Sequence, residues 1–328
     1  MYFCKGDFLI NIEYFRKLVG QRLKGLVKTP LAIVGPCSIY DEEETLIYED
    51  RLRALQKELG NSIVLFMRAF VEKSRTSYNW RGFVYQRDLS KPEDILEGIE
   101  KTRKLFSQLE TPLAMECVDP NIFPFLEDLL SWGFIGARTS TSTTHRILAS
   151  GATIPFGFKN SLDGDVSAAI HSCLVANQSH CILTKNGQSL TNGNPHTHIV
   201  LRGGYTKVNY TKEEVDKAYL TARALGVFAP MLIDCSHGNS PNKPDGQKIS
   251  FLESIDRIKQ SPEKVFGVML ESNILKGAST HCKQRGVSFT DPCISFEETR
   301  ELLLTAAERI TRQHTEESDQ PTFYAYSH

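Results

Sequence analysis

Eight short apolar runs, each closed by a polar turn, dictate what this chain can fold into. They read LAIVG (31–35), IVLFMRAF (63–70), LAMECV (113–118), FIGAR (134–138), IPFGFKN (154–160), THIVLRGG (197–204), PMLIDCSH (230–237) and VFGVMLES (265–272). Most are apolar at nearly every position, as strands buried on both faces are, which points to a parallel sheet covered by helices. Amphipathic stretches lie between them: EEETLIYEDRLRALQKEL (42–59), PEDILEGIEKTRKLFSQL (92–109), IFPFLEDLLSW (122–132), TKEEVDKAYLTARAL (211–225) and FLESIDRIKQ (251–260). Such alternation fits an α/β chain closed into one (β/α)8 TIM barrel. The competing doubly wound sheet would carry a glycine-rich dinucleotide fingerprint after its first strand, and LAIVGPCSIYD has none. The expected division is a short N-terminal helical extension (1–30), a catalytic barrel (31–310) and a polar C-terminal tail (311–328).

A formal net charge of −1 gives no global attraction to nucleic acid or acidic lipid, so an anion site must be built from locally converging cations. The longest apolar runs fall well short of the roughly 20 residues needed to span a bilayer. Eight cysteines without CxxC pairing, and an N-terminus with charges inside its apolar stretch, fit a reduced, cytoplasmic setting.

In a barrel enzyme the active site gathers where the strands end, at their C-terminal tips. Those positions are occupied here by Cys37; Arg68, Glu72, Lys73 and Arg75; Glu116; Arg138; Lys159; Arg202; Asp234 and His237; Glu271; and Asp291. Arg68, Lys73, Arg75, Arg138, Lys159 and Arg202 would line a positive pocket for small, multiply charged anions, with arginine giving forked recognition of phosphate or carboxylate. So many cations suit two phosphorylated substrates, or a phosphorylated carboxylate plus a second phosphate. Cys37, His237, Glu271 and Asp291 form a second set of one thiolate, one imidazole and two carboxylates. That mixture suits a borderline divalent metal such as Mn, Fe, Co or Zn, and a thiolate is a poor ligand for Mg.

Each residue alone has an ordinary reading. Cysteine is commonly a small buried hydrophobe, a histidine is more often hydrogen-bonded than metal-bound, and an arginine after a strand is often an ion-pair partner. A shared rim changes this, because a charged cluster of that size is costly without a compensating ligand. His196 and His198 of HTH precede their strand, so they belong to the stability end of the barrel.

Laid out this way, the chain resembles the class I 3-deoxy-D-arabino-heptulosonate 7-phosphate (DAHP) synthases. The resemblance runs over roughly residues 31–305 through GPCSIYD, MRAFVEKSRT, SWGFIGART, GFKNSLDG, HIVLRGG, IDCSHGNS, GVMLES and TDPCISFEET, in family order. It implies a metal-dependent condensation of phosphoenolpyruvate (PEP) with erythrose 4-phosphate, and commonly a homodimer or homotetramer. It implies metal ligation by Cys37, His237, Glu271 and Asp291. PEP would be held by Arg68, Lys73, Arg138, Lys159 and Arg202, with Glu116 and Ala137 near its carboxylate and phosphate. Arg75 and Thr76 would take the aldose phosphate. Lys73, Glu116 and His237 are then the expected catalytic groups: Lys73 as proton donor, its pKa lowered by neighbouring cations, and Glu116 orienting water.

The chain departs from the family pattern in places. KPRT becomes KSRT; WKGLINDP becomes WRGFVYQRDL, which removes an Asp-Pro and adds Arg87; and ILKGAST replaces the usual residues after MLESN. The related octulosonate 8-phosphate synthases, a synthase for another aldose phosphate, and a non-catalytic PEP-binding homologue are the rival readings. The segment before the first strand is shorter than extensions that form feedback sites, so weak or absent inhibition by aromatic amino acids is expected.

Overall fold

The structure, a computed structural model, describes residues 11–75, 79–184, 187–240, 244–279 and 284–318, with side chains as far as residue 311. Eight parallel strands form a closed cylinder: β1 (Leu31–Gly35), β2 (Val64–Arg68), β3 (Leu113–Glu116), β4 (Trp132–Ile135), β5 (Phe156–Lys159), β8 (Thr197–Leu201), β9 (Met231–Asp234) and β10 (Val265–Asn273). Closure comes from β1 pairing with β10, with Gly35 opposite Glu271. Between β5 and β8 an antiparallel ribbon, β6 (Cys181–Thr184) and β7 (Gly187–Leu190), stands apart from the barrel. A two-residue β11 (Ile294–Ser295) adds to the end of β10. The TIM barrel expected from the apolar runs is therefore present.

Helices α2 (Glu42–Leu59), α3 (Ile95–Phe106), α4 (Thr143–Gly151), α5 (Ser167–Ala176), α6 (Lys212–Ala224), α7 (Gly246–Gln260) and α8 (Phe296–Ser318) cover the cylinder. Three of them start on side chains the sequence supplies for that purpose. Asp41, Asp94 and Thr211 accept from the backbone N–H three residues on, at the starts of α2, α3 and α6. The expectation of a helix over 122–132 is not met: Phe123–Phe125 and Glu127–Leu129 are two short 3-10 turns. The β4 strand already begins at Trp132, so the segment is cut short before a longer helix can form. The α8 helix carries on past residue 310, so the chain is still helical where the polar tail was expected to begin.

Two apolar clusters separate the inside of the cylinder from its outer wall. The inner one comprises Leu31, Ile33, Phe66, Phe70, Ala114, Trp132, Phe134, Val200, Leu232, Phe266 and Met269, together with Val19 and Leu23 of α1 (Ile12–Leu23). Thus α1 closes the bottom of the barrel: Phe15 packs edge-on against Phe66 at 5.8 Å, and the buried Arg22 donates to the carbonyls of Pro262 and Val265. His198, expected to precede its strand, is instead the second residue of β8, and it lies at this closed end. Its Nε2 accepts from Trp132 Nε1 at 3.0 Å and its Nδ1 meets the His196 carbonyl at 3.1 Å, while burial lowers its pKa to about 3. No helix among the described residues is long and apolar enough to cross a membrane.

Candidate active site

Strand periodicity puts the charged residues at one level. Alternate side chains of a barrel strand point inward, and Arg68, Glu116, Arg202, Asp234 and Glu271 each stand two residues beyond a member of the inner apolar cluster: Phe66, Ala114, Val200, Leu232 and Met269. Lys159 follows Gly157 by the same step. A Cβ on Gly157 would come within 2.7 Å of Val200 and 2.9 Å of Trp132, so glycine there leaves room for the indole inside. The apolar floor thereby carries a ring of ionic groups on its upper side.

Two ionic clusters meet in this layer. At one pole, Lys73 Nζ lies 2.7 Å from Cys37 Sγ and 2.8 Å from Asp291 Oδ2, and Cys37 Sγ is 3.3 Å from Asp291 Oδ2. Burial, reinforced by Glu271, pushes the Cys37 thiol up to about 12 despite Lys73 and Arg68. Burial also pulls upward on Asp291, but the Lys73 ammonium beside it holds the carboxylate down at about 2. The expectation for Lys73 itself is overturned. Its nearest ionisable neighbours are not cations but Cys37, Glu271 and Asp291, and they raise its pKa against the downward pull of burial.

At the other pole, Asp234 is wholly buried and takes Lys159 Nζ at 2.6 Å and His237 Nδ1 at 3.0 Å through Oδ2. The Lys159 ammonium and the neighbouring His237 ring hold its carboxylate well below the usual range although burial opposes them. Ser236 Oγ donates to Asp234 Oδ1 at 2.6 Å and lies 2.6 Å from His237 Nδ1. With Nδ1 engaged on that side, Nε2 faces Glu271 Oε1 at 3.9 Å. Arg68 Nη2 donates to the same Glu271 oxygen at 3.0 Å, and Gln247 fixes the Glu271 backbone by bonds at 3.1 and 2.8 Å. Arg68 Nη1 is buried without a hydrogen-bond partner among the described residues. Ser236 and Gln247 were missed from sequence, and Asp234 was placed at the rim without a role. For Asp234 a signal existed: it occupies the inward, ring-level position of β9.

His237 has φ +56°, the sole non-glycine in the left-handed region among the described residues, and glycines make its turn possible. A Cβ on Gly203 (φ +71°) would fall 2.4 Å from the carbonyl carbon of Gly238, and one on Gly238 would fall 2.5 Å from the Gly204 oxygen. The RGG and SHG turns therefore interlock backbone against backbone. Gly136 serves similarly at β4, where a Cβ would lie 2.0 Å from Glu116 Oε1.

A cavity of about 280 Å³ opens on the ring, lined among others by Lys73, Arg75, Glu116, Ala137, Arg138, Lys159, Arg202, His237 and Asp291. A second, of about 600 Å³, shares Arg138, Arg202, His237 and Asp291 and reaches Glu271. A third, of about 350 Å³, extends from Lys73 and Arg75 to Arg81, Tyr85 and Asp119. Cys37 and Arg68 are buried beside these spaces rather than lining them, and Thr76 lies outside the described residues. Arg87 turns away, pairing with Glu42 at 2.7 Å; the cation of that altered loop which reaches the cavity is Arg81, set over the Tyr85 ring.

The match to known proteins is consistent with this arrangement. A model of the DAHP synthetase I family matches residues 14–304. The chain belongs to the DAHP synthetase I family. Curated relatives include the Tyr-sensitive phospho-2-dehydro-3-deoxyheptonate aldolase of Salmonella typhimurium, 39% identical over 307 residues, covering 89% of this chain and 86% of that one. A tyrosine-inhibited aldolase of the same name from Candida albicans is 36% identical over 309 residues, covering 88% and 83%. Among solved structures, phospho-2-dehydro-3-deoxyheptonate aldolase from Francisella tularensis superposes with a TM-score of 0.86 at 33% identity, over 94% of this chain and 99% of that one. The family's barrel is thus shared over nearly the whole chain.

Proposed function

We propose that this protein condenses PEP with erythrose 4-phosphate and water, giving DAHP and inorganic phosphate. The observation that carries the reading is the inward ring of Arg68, Lys159 and Arg202, joined at the mouth by Lys73, Arg75 and Arg138, directly beside an acid, thiol and imidazole pole. Lys159, Arg202 and Arg138 would hold the carboxylate and phosphate of PEP. The buried, half-satisfied guanidinium of Arg68 suits a second anionic contact. Arg75 would hold the phosphate of the aldose.

The resident cofactor of this reading is one divalent ion, Mn, Fe, Co or Zn, held by Cys37, His237, Glu271 and Asp291. Among the described residues no three His, Cys, Asp or Glu side chains stand close enough to share an ion as they lie. The fit rests on donor chemistry and on pairing. Cys37 approaches Asp291, His237 Nε2 faces Glu271, and the Lys73 ammonium already bridges the sulfur and the Asp291 oxygen as a cation. Asp234 on Nδ1 leaves Nε2 as the ligating nitrogen of His237. Such an ion, when bound, polarises the aldehyde oxygen and stabilises the thiolate form of Cys37.

Carbon–carbon bond formation joins C3 of PEP to the aldehyde carbon, water adds at C2 of PEP, and cleavage of the C2–O bond releases phosphate. Lys73, kept charged by its anionic neighbours, would stabilise the oxygen that was the aldehyde carbonyl and deliver its proton. Glu116, braced against Gly136, would orient the water. Phosphate release from PEP should require erythrose 4-phosphate and Mn²⁺ and stop with chelator. A preference for arabinose 5-phosphate over erythrose 4-phosphate, or turnover with neither sugar, would overturn the assignment.

A further inference from the structure

Three aromatic rings from three separate loops meet above the Cys37–Lys73–Asp291 pole. Tyr40, three residues beyond Cys37, stacks on Phe289, two residues before Asp291, with centroids 4.0 Å apart and planes 20° apart. Trp80 meets both edge-on, at 5.4 Å from each. The indole is 7% exposed and is pinned by its own Nε1, which donates to the Gln86 carbonyl at 2.7 Å. On the backbone side, the Trp80 carbonyl accepts from Arg75 Nε at 3.1 Å, and the neighbouring Arg81 carbonyl accepts from the Lys73 N–H at 2.7 Å. One residue therefore holds the Arg75 guanidinium through its carbonyl while its ring packs against Tyr40 and Phe289 on the loops bearing Cys37 and Asp291.

We infer that Trp80 is a positioning residue that sets acceptor length: through the Tyr40–Phe289 stack it fixes the span between the Arg75 phosphate seat and the Cys37–Asp291 pole. This rests on the proposed condensation, in which the aldose phosphate bridges those two points. Edge-to-face ring contacts are directional, so the three rings fix the relative placement of the loops as well as burying apolar surface. A span held fixed in this way would admit a four-carbon aldose phosphate and exclude a five-carbon one. The cations assigned to PEP, Arg138, Lys159 and Arg202, follow other strands and do not depend on the stack.

The test is the ratio of kcat/KM for erythrose 4-phosphate to that for arabinose 5-phosphate, measured with Mn²⁺ at fixed PEP. In Trp80→Ala, and in the milder pair Tyr40→Leu with Phe289→Leu, the ratio should fall at least tenfold while the KM for PEP stays within about twofold. Loss of activity in equal proportion on both sugars would overturn the inference, since a general structural defect cannot change a ratio. Should Trp80→Ala fail to fold, the Leu pair decides. A second readout needs no turnover: in chelator, erythrose 4-phosphate should change the tryptophan emission of the wild type and leave that of Trp80→Phe unchanged. Persistence of the change in Trp80→Phe would also refute the assignment. If the wild type consumes neither sugar with PEP, the proposed function falls; if it discriminates and the variants do so equally well, only the role of Trp80 falls.

Discussion

Single side chains in this molecule carry charge into places where it must be matched. Glu72 is buried, accepts from Tyr85 Oη at 3.0 Å and from the Asp119 N–H at 3.2 Å, and burial drives its pKa up from 4.5 to about 8 in spite of those bonds. A carboxyl raised on folding contributes fully below its unfolded value and loses that contribution as pH climbs through the folded one. Glu72→Gln, which keeps the neutral form, should gain stability relative to wild type between pH 4.5 and 8, by up to about 1.4 kcal/mol per pH unit. Urea midpoints at pH 5 and 8 check this, and a gap that does not change with pH would refute it. Asp234 presents the opposite case, an ionised carboxylate paired with the buried Lys159 ammonium. Asp234→Ala should cost about 3–5 kcal/mol by leaving that cation unmatched, and PEP should raise the melting temperature of the variant by more than it raises that of wild type. The ring-level residues were legible in the sequence because strand alternation fixes their direction. The environment of Glu72 was not, since Tyr85 and Asp119 reach it from loops 13 and 47 residues away.

At the level of elements, near-continuous apolar runs revealed all eight barrel strands, and amphipathic periodicity marked α2, α3, α6 and α7. What stayed hidden depended on contacts between distant segments. The segment around Pro124 has helical periodicity, yet the short path to β4 leaves only two tight turns. The β6–β7 ribbon was also passed over, since CILTKNGQSL is neither long nor uniformly apolar and its strands are largely exposed. Nor could composition show that α1 plugs the cylinder, because its hydrophobic stripe is satisfied by residues up to 250 positions away, such as Phe266 and Met269. Leu23→Ala should cost about 2–5 kcal/mol as a core truncation, seen as a lower urea midpoint with an unchanged slope. A cost under about 0.5 kcal/mol would mean that α1 only leans on the barrel.

For the whole molecule, charge distribution matters more than total charge. A net charge of −1 draws no anion from afar, while five cations, Lys73, Arg75, Arg138, Lys159 and Arg202, line one cavity. Salt should therefore act locally and on encounter: as the screening length falls from about 10 Å at 0.1 M to about 3 Å at 1 M, kcat/KM for both phosphorylated substrates should fall with kcat nearly constant. A drop in kcat of the same size would place the effect on the chemical step instead. The plugged bottom also governs traffic. With α1 and the packed rings of Trp132, Phe134 and Phe266 sealing one end, every molecule enters and departs by a single door. Arg68, Lys159 and Arg202 sit at the back of that room and Arg75 nearer the threshold. If the two reactants take the proposed seats, an occupant of the inner one would have to come in first and leave only after its neighbour had cleared the way, so the plug would impose a queue on them.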